Sequence, residues 1–163
     1  MDRKKRVKVE EQDPKIRATN FEEVCLGYTQ DEAVEEATRC LNCKKPMCVS
    51  KCPVAIDIPG FIKHVKNKEF SQAVKVIAKY SALPAVCGRV CPQETQCESK
   101  CILGIKGDAI AIGKLERFVG DYSRLHNVDL SETKPKKGIK VAVVGSGQIG
   151  RASCRERVWI KCR

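Results

Sequence analysis

Eight cysteines in two tight groups are the residues of this 163-residue chain best suited to chemistry. Cys40, Cys43, Cys48 and Cys52 form the first group; Cys87, Cys91, Cys97 and Cys101 form the second. Thiols gathered in this way either bind soft metals as thiolates or pair as disulfides. The opening Met1-Asp-Arg-Lys-Lys-Arg is charged and leads into no apolar segment of the kind a secretory signal needs, so a cytoplasmic chain is expected. Thiols stay reduced there, so the grouping predicts metal rather than disulfides. Cys25, Cys154 and Cys162 lie outside both groups, and Cys25 reads as a small apolar residue.

Spacing narrows the metal. Cys40-x2-Cys43-x4-Cys48-x3-Cys52-Pro53 resembles the ferredoxin run in which three close cysteines serve one cluster and the fourth, before proline, serves another. A cubane presents its irons at tetrahedral corners. A short loop can therefore reach three of them, and the fourth must be met from elsewhere in the chain. The second group, Cys87-x3-Cys91-Pro92-x4-Cys97-x3-Cys101, supplies that remote partner. On this logic Cys101 completes the first cluster and Cys52 joins Cys91 and Cys97 at the second, with Cys87 the eighth ligand that spacing alone favours. Two four-thiolate zinc sites are the alternative. Zinc ribbons pair one CxxC with another, whereas here CxxC occurs once and Cys-Pro twice.

These loops need helices to hold them. Thr29 or Asp31 can cap a helix running to about Arg39, with Ala33, Val34 and Ala37 as its apolar face. It delivers Cys40 and Cys43, and Pro46 forbids its continuation. Pro59 opens a second helix that buries Phe61, Ile62 and Val65. A third fits Ser71 to Tyr80, burying Ala73, Val74, Ile77 and Tyr80. The 34 residues between the groups thus read as a helical hairpin that returns the chain to its starting point. The second group reads as loops around Pro84, Gly88 and Pro92, and a last helix runs from Ile112 to Leu125. Residues 1–20 read as an extended arm that docks on a partner. Lone His64 and His126 read as helix-surface residues, and Lys106-Gly-Asp108 as a turn.

The formal charge of +11 invites a nucleic-acid reading. Residues 149–163 contribute five basic residues and one acid, and the remainder is +7. Thiolate ligands around metal clusters would lower this further. The basic residues are scattered, with few aromatics for base stacking, so no nucleic-acid partner is expected. The longest apolar runs, such as Val141 to Val144, are far too short for a bilayer.

Four segments together resemble a known family: Cys40-Leu-Asn-Cys-Lys-Lys-Pro-Met-Cys-Val-Ser-Lys-Cys-Pro-Val54, Asp57-Ile-Pro-Gly-Phe-Ile62, Leu83-Pro-Ala-Val-Cys-Gly-Arg-Val-Cys-Pro-Gln93 and Ile112-Gly-Lys-Leu-Glu-Arg-Phe118. They are similar to the N-terminal iron–sulfur domain of the glutamate synthase small subunit. Related domains occur in the large subunit of NADH-dependent reduced-ferredoxin:NADP oxidoreductase and in dihydropyrimidine dehydrogenase. The resemblance spans about residues 15–148. It implies a mainly α fold, an α-helical ferredoxin domain with two [4Fe–4S] clusters. It further implies Cys40, Cys43, Cys48 and Cys101 at one cluster, and Cys52, Cys91, Cys97 and the carboxylate Glu116 at the other. Cys87 then becomes a packing residue.

Beyond the domain at 21–130, residues 131–138 read as a polar linker. Residues 139–148 read as the opening strand and glycine turn of a Rossmann-like FAD domain, with Gly145 and Gly147 facing the pyrophosphate. The family pattern is lost at Gln148. Ile149 to Val158 looks like translated sequencing-adapter read-through, so 149–163 is expected to be non-native and Gly150 to complete GxGxxG by accident. The fragment of that domain in hand is too short to hold FAD. The resemblance implies electron transfer between an NAD(P)H-reduced FAD and an FMN on a glutamate synthase large subunit, serving L-glutamate synthesis. An electron-bifurcating ferredoxin:NADP oxidoreductase or a pyrimidine-reducing dehydrogenase would use the same wiring. A zinc-stabilised interaction module is the reading from another class.

Overall fold

A computed structural model describes residues 4–130. The expected linker at 131–138, the strand and glycine turn at 139–148 with Gly145 and Gly147, and the tail at 149–163 lie outside the described residues. In chain order the elements are β1 (Glu10–Glu11), α1 (Pro14–Arg17), β2 (Cys25–Gly27), α2 (Gln30–Thr38), α3 (Met47–Ser50), α4 (Ile58–Lys66), α5 (Phe70–Ala78), α6 (Pro84–Val90) and α7 (Ile112–Leu125). Two short 3-10 segments, Glu98–Lys100 and Ile102–Ile105, precede α7. β1 and β2 pair antiparallel. No helix among the described residues is long and apolar enough to cross a membrane.

Local chemistry explains the helix starts. Thr29 caps α2 by accepting from the Glu32 amide, while Glu32 reaches back to the Thr29 amide, a reciprocal capping box. Thr29→Ala should lower stability by ~1 kcal/mol, read as a downward shift of a few degrees in the melting temperature; an unchanged melt would show that the cap contributes nothing. Asp57 accepts from the Gly60 amide at the start of α4, with Pro59 in the first turn.

The core forms where α4 and α5 fold back on each other and α7 crosses beneath. Phe61, Ile62, Val65, Val74, Ile77, Leu115 and Val119 are fully buried there, each worth ~1.5–3 kcal/mol relative to exposure. Phe70 meets Phe118 edge-on with ring centroids 5.1 Å apart. Tyr80 departs from expectation and is exposed, because α5 ends at Ala78 and the chain turns before Tyr80 can reach the core.

Two further expectations change. The segment around Pro84 and Gly88 is a helix, α6, not a loop: Pro84 occupies its first turn, where a missing N–H costs nothing. Gly88 lies against the α7 backbone, and a Cβ there would come within 2.5 Å of the Arg117 nitrogen. The N-terminal arm lies along this same domain. The Val7 amide donates to Glu36 Oε2 at 2.8 Å, Tyr28 Oη donates to the Val7 carbonyl at 2.7 Å, and Arg6 Nη2 donates to Glu98 Oε2 at 2.9 Å.

Candidate metal centres

α2 ends in Arg39, and the chain then turns through Cys40 and Cys43 with Asn42 in the left-handed region, φ 48°. Asparagine tolerates that conformation better than most residues. The one-turn helix α3 carries Cys48 and leads to Cys52. Cys101 arrives from the far side of the sequence, between the two 3-10 segments. Cys40, Cys43, Cys48 and Cys101 line one cavity of about 480 Å³, floored by Ile58, Ile62, Ile110 and Ile112.

Electrostatic proximity sorts the thiols in the same way. Burial pushes the Cys40 thiol up, and neighbouring Cys101 and Cys43 push it further. Burial raises Cys48 to about 11, again with Cys101 and Cys40 adding to the shift. Backbone amides temper this, Asn42 donating to Cys40 and Val49 to Cys48. The Ile110 amide donates to Cys101 Sγ at 3.5 Å. Such N–H···S bonds are one means by which a protein tunes a bound cluster.

A second set gathers around Glu116 on α7. Cys91 is raised to about 11, first by burial and then by Cys87, Glu116 and Cys52. Cys97 is raised to about 12 by burial, with Glu98, Cys52 and Glu116 contributing. Burial alone lifts the Glu116 carboxyl to about 7. Its Oε1 is buried without a hydrogen-bond partner, which is costly for a carboxylate unless something else faces it. Cys87 also lies here, on α6 beside Cys91, with its Sγ 3.7 Å from Ser81 Oγ. The structure thus brings together Cys52, Cys87, Cys91, Cys97 and Glu116, one donor more than a four-ligand site requires.

Cys40, Cys48, Cys91 and Cys97 are disfavoured as thiolates first by burial and then by charged neighbours. A cationic centre reverses that balance, because metal charge deprotonates coordinating thiols. An orphaned buried carboxylate beside Cys91 and Cys97 fits a metal-bound group. Among the described residues, no set of three or more His, Cys, Asp or Glu side chains converges closely enough for a single ion; the first set instead rings a cavity, as a multi-iron cluster requires.

The remaining marked residues lie apart from the cysteine sets. His64 Nδ1 is 2.6 Å from Glu69 Oε2, and His126 stacks on Tyr122 at 3.9 Å between centroids. Cys25 Sγ accepts from Lys114 Nζ at 3.5 Å, a partner on α7 that its isolation in sequence concealed. Lys106-Gly-Asp108 is a turn that anchors the arm: Asp108 Oδ2 accepts from the Arg6 amide at 3.0 Å, and the Asp108 amide donates to the Lys4 carbonyl at 2.7 Å.

A mainly helical chain that gathers cysteines from separated stretches of sequence has the architecture of an iron–sulfur domain of the helical ferredoxin type. Residues 17–128 match the family described as dihydropyrimidine dehydrogenase domain II, 4Fe-4S cluster, and the chain belongs to it. It is 37% identical over 140 residues to the glutamate synthase [NADPH] small chain of Escherichia coli K12, covering 85% of this chain and 29% of that one. It is 36% identical over 130 residues to the NAD-dependent dihydropyrimidine dehydrogenase subunit PreT of the same organism, covering 80% and 32%. It is 37% identical over 140 residues to that organism's putative oxidoreductase AegA, covering 83% and 21%. The chain spans less than a third of the length of these relatives.

Proposed function

We propose that this chain conducts single electrons through two [4Fe–4S] clusters in the cytoplasm, as the N-terminal part of a glutamate synthase small subunit. In a full-length subunit the electrons would come from an NAD(P)H-reduced FAD and leave to an FMN on the large subunit, where L-glutamate is formed. The observation that carries this reading is the division of the cysteines into two spatial sets that cut across their two sequence groups. Cys40, Cys43, Cys48 and Cys101 would hold one cluster; Cys52, Cys91, Cys97 and Glu116 would hold the other. Once bound, each cluster supplies a site that takes up and releases one electron at a time.

The protein's share is to hold, tune and shield. Ile58, Ile62 and Ile110 keep water from the inner wall of the first cavity. The amides of Asn42, Val49 and Ile110 stabilise charge on sulfur. Glu116 is favoured over Cys87 as the eighth ligand because its Oε1 is orphaned whereas Cys87 already has Ser81.

Glu116→Ala should change the spectrum and potential of one cluster and leave the other as it was. Electron paramagnetic resonance of the reduced protein during a redox titration checks this, and two unaltered signals would remove Glu116 from the ligand set. The broader reading is tested by anaerobic purification. A brown protein with about eight irons and eight sulfides is expected, and a colourless zinc protein would overturn it.

A second reading keeps the wiring and changes the substrate. The PreT relative is as similar as the glutamate synthase one, which favours pyrimidine reduction as the alternative end use. The gene beside an uninterrupted copy of this locus separates the two: a large amidotransferase with an FMN domain supports glutamate synthesis, and a pyrimidine-reducing subunit supports the other.

A further inference from the structure

The loops that carry the first cysteine set are strongly one-sided in charge. Residues 40–53 and 99–106 contain Lys44, Lys45, Lys51, Lys100 and Lys106 but no Asp or Glu. All five lysines are exposed, and none forms an ion pair among the described residues. Lys45 and Lys100 line the same cavity as the cysteines. The two loops abut, because α3 packs on the Glu98–Lys100 turn.

Between the lysines lie apolar side chains that the core does not use. Leu41, Met47, Ile102 and Ile105 line the cavity and are 47%, 56%, 54% and 77% exposed. Lysines needed only to offset thiolate charge would not require uncovered aliphatic side chains beside them. An apolar patch ringed by charge of one sign is the anatomy of a transient protein interface, with affinity at the centre and steering at the rim.

Charge decides what covers it. A second copy of this chain would bring the same five lysines and be repelled. The chain's own continuation at 131–148 carries Lys134, Lys136, Lys137 and Lys140 against Glu132 alone, so it does not complement the rim either.

We propose that this lysine-ringed apolar collar around Cys40, Cys43, Cys48 and Cys101 is the docking port for the acidic face of a redox partner protein. The proposal rests on the reading of the chain as an electron conduit. In the docked pair one electron crosses with no bond made or broken: the reduced chain is oxidised as the partner's flavin or iron–sulfur acceptor is reduced.

The test uses the anaerobically purified full chain and the glutamate synthase large subunit as probe. Wild-type binding should weaken about tenfold or more between roughly 50 and 500 mM salt. Lys44→Glu/Lys45→Glu/Lys100→Glu should weaken it about 100-fold at low salt with unchanged cluster spectra. Lys75→Glu/Lys79→Glu, on α5 and at its C-terminal cap, should bind as wild type. Binding by the triple variant within about twofold of wild type overturns the port. If the triple variant loses its clusters, Lys45→Gln/Lys100→Gln takes its place, with about tenfold weaker binding expected and no change overturning the port.

A cluster-bearing wild type that does not bind the large subunit at all overturns the partner named under the proposed function. The port is then judged by stopped-flow oxidation of the dithionite-reduced chain. Faster reaction with hexacyanoferrate(III) than with hexaamminecobalt(III), and loss of that preference in the charge-reversed variant, upholds it. A ratio that the substitutions leave unchanged overturns it.

Discussion

On the proposed two-cluster reading, Gly88→Ala is expected to yield a protein that keeps the first cluster and loses the second. A Cβ at Gly88 would lie 2.5 Å from the Arg117 nitrogen and 2.7 Å from its Cα. Both are backbone atoms of α7, so no rotamer change relieves the overlap and the two helices must separate. The contact is doubled by Gly120, whose added Cβ would overlap the Ala85 nitrogen. Overpacking of this kind costs ~1–3 kcal/mol, and sometimes more. The consequence for the site is larger than the energy suggests. α6 carries Cys87 and leads directly into Cys91, while α7 carries Glu116 one residue from the point of contact. Separating the helices therefore pulls apart opposite sides of the proposed second ligand set, and the first set, on the turn after α2, on α3 and on the turn at Cys101, is not involved. Iron should fall from about eight to about four per chain, with one resonance signal retained. Gly104→Ala is the control, since a Cβ there would make only ordinary contact with Ala109 at 3.5 Å. Full iron content and an unchanged melt in Gly88→Ala would show that the two helices do not fix the second site.

Much of this was legible in the sequence where local rules govern. The Thr29 cap, Pro59 in a first turn and the spacing of Leu115, Phe118, Val119 and Tyr122 each depend on residues a few positions apart, and α2, α4 and α7 form where those signals place them. α6 was missed because Pro84 and Gly88 read as breakers. Each is tolerated for a reason that local sequence does not carry: the proline sits in the first turn, and the glycine is required by a helix 29 positions further on. The arm was misjudged for a related reason. Nothing in the local sequence pairs Arg6 with Glu98, 92 residues away, or Arg39 with the Asp108 carbonyl, 69 residues away. The candidate site divides in the same way. Cysteine spacing marks eight thiols, but helical spacing cannot tell a solvated Glu116 from one whose Oε1 is buried and unpaired. That distinction exists only once α6 has packed on α7.

The largest stability loss is expected from Glu36→Ala. Glu36 is 0% exposed and Arg39 is 1% exposed, and the two form an ion pair within α2. The carboxylate has further duties: Oε2 accepts from the Val7 amide and Oε1 from the Ala111 amide, each at 2.8 Å. One side chain thus joins the N-terminal arm, α2 and the start of α7. Alanine would take from the buried Arg39 guanidinium the counter-charge that Glu36 supplies while its other contacts remain, a loss of up to ~3–5 kcal/mol, because desolvation is less fully offset by attraction. It would also orphan two buried amides, each worth ~1–3 kcal/mol if no water reaches it. The melt, followed by loss of cluster absorbance, should fall by about 10 °C or more. Glu36→Gln should lie between, since its carbonyl can still accept one amide but carries no charge for Arg39. Removing both charges with Glu36→Met/Arg39→Met should recover part of the loss, because apolar replacement of a buried pair abolishes the desolvation penalty, yet not all of it, because the Val7 and Ala111 amides remain unmet. Air sensitivity should follow the same order at the first cluster, since Ala111 adjoins Ile110, whose amide donates to Cys101 Sγ. A Glu36→Ala protein melting within about 2 °C of wild type would mean that Arg39 finds another anion or water, and that the arm is held by Arg6 and Tyr28 alone.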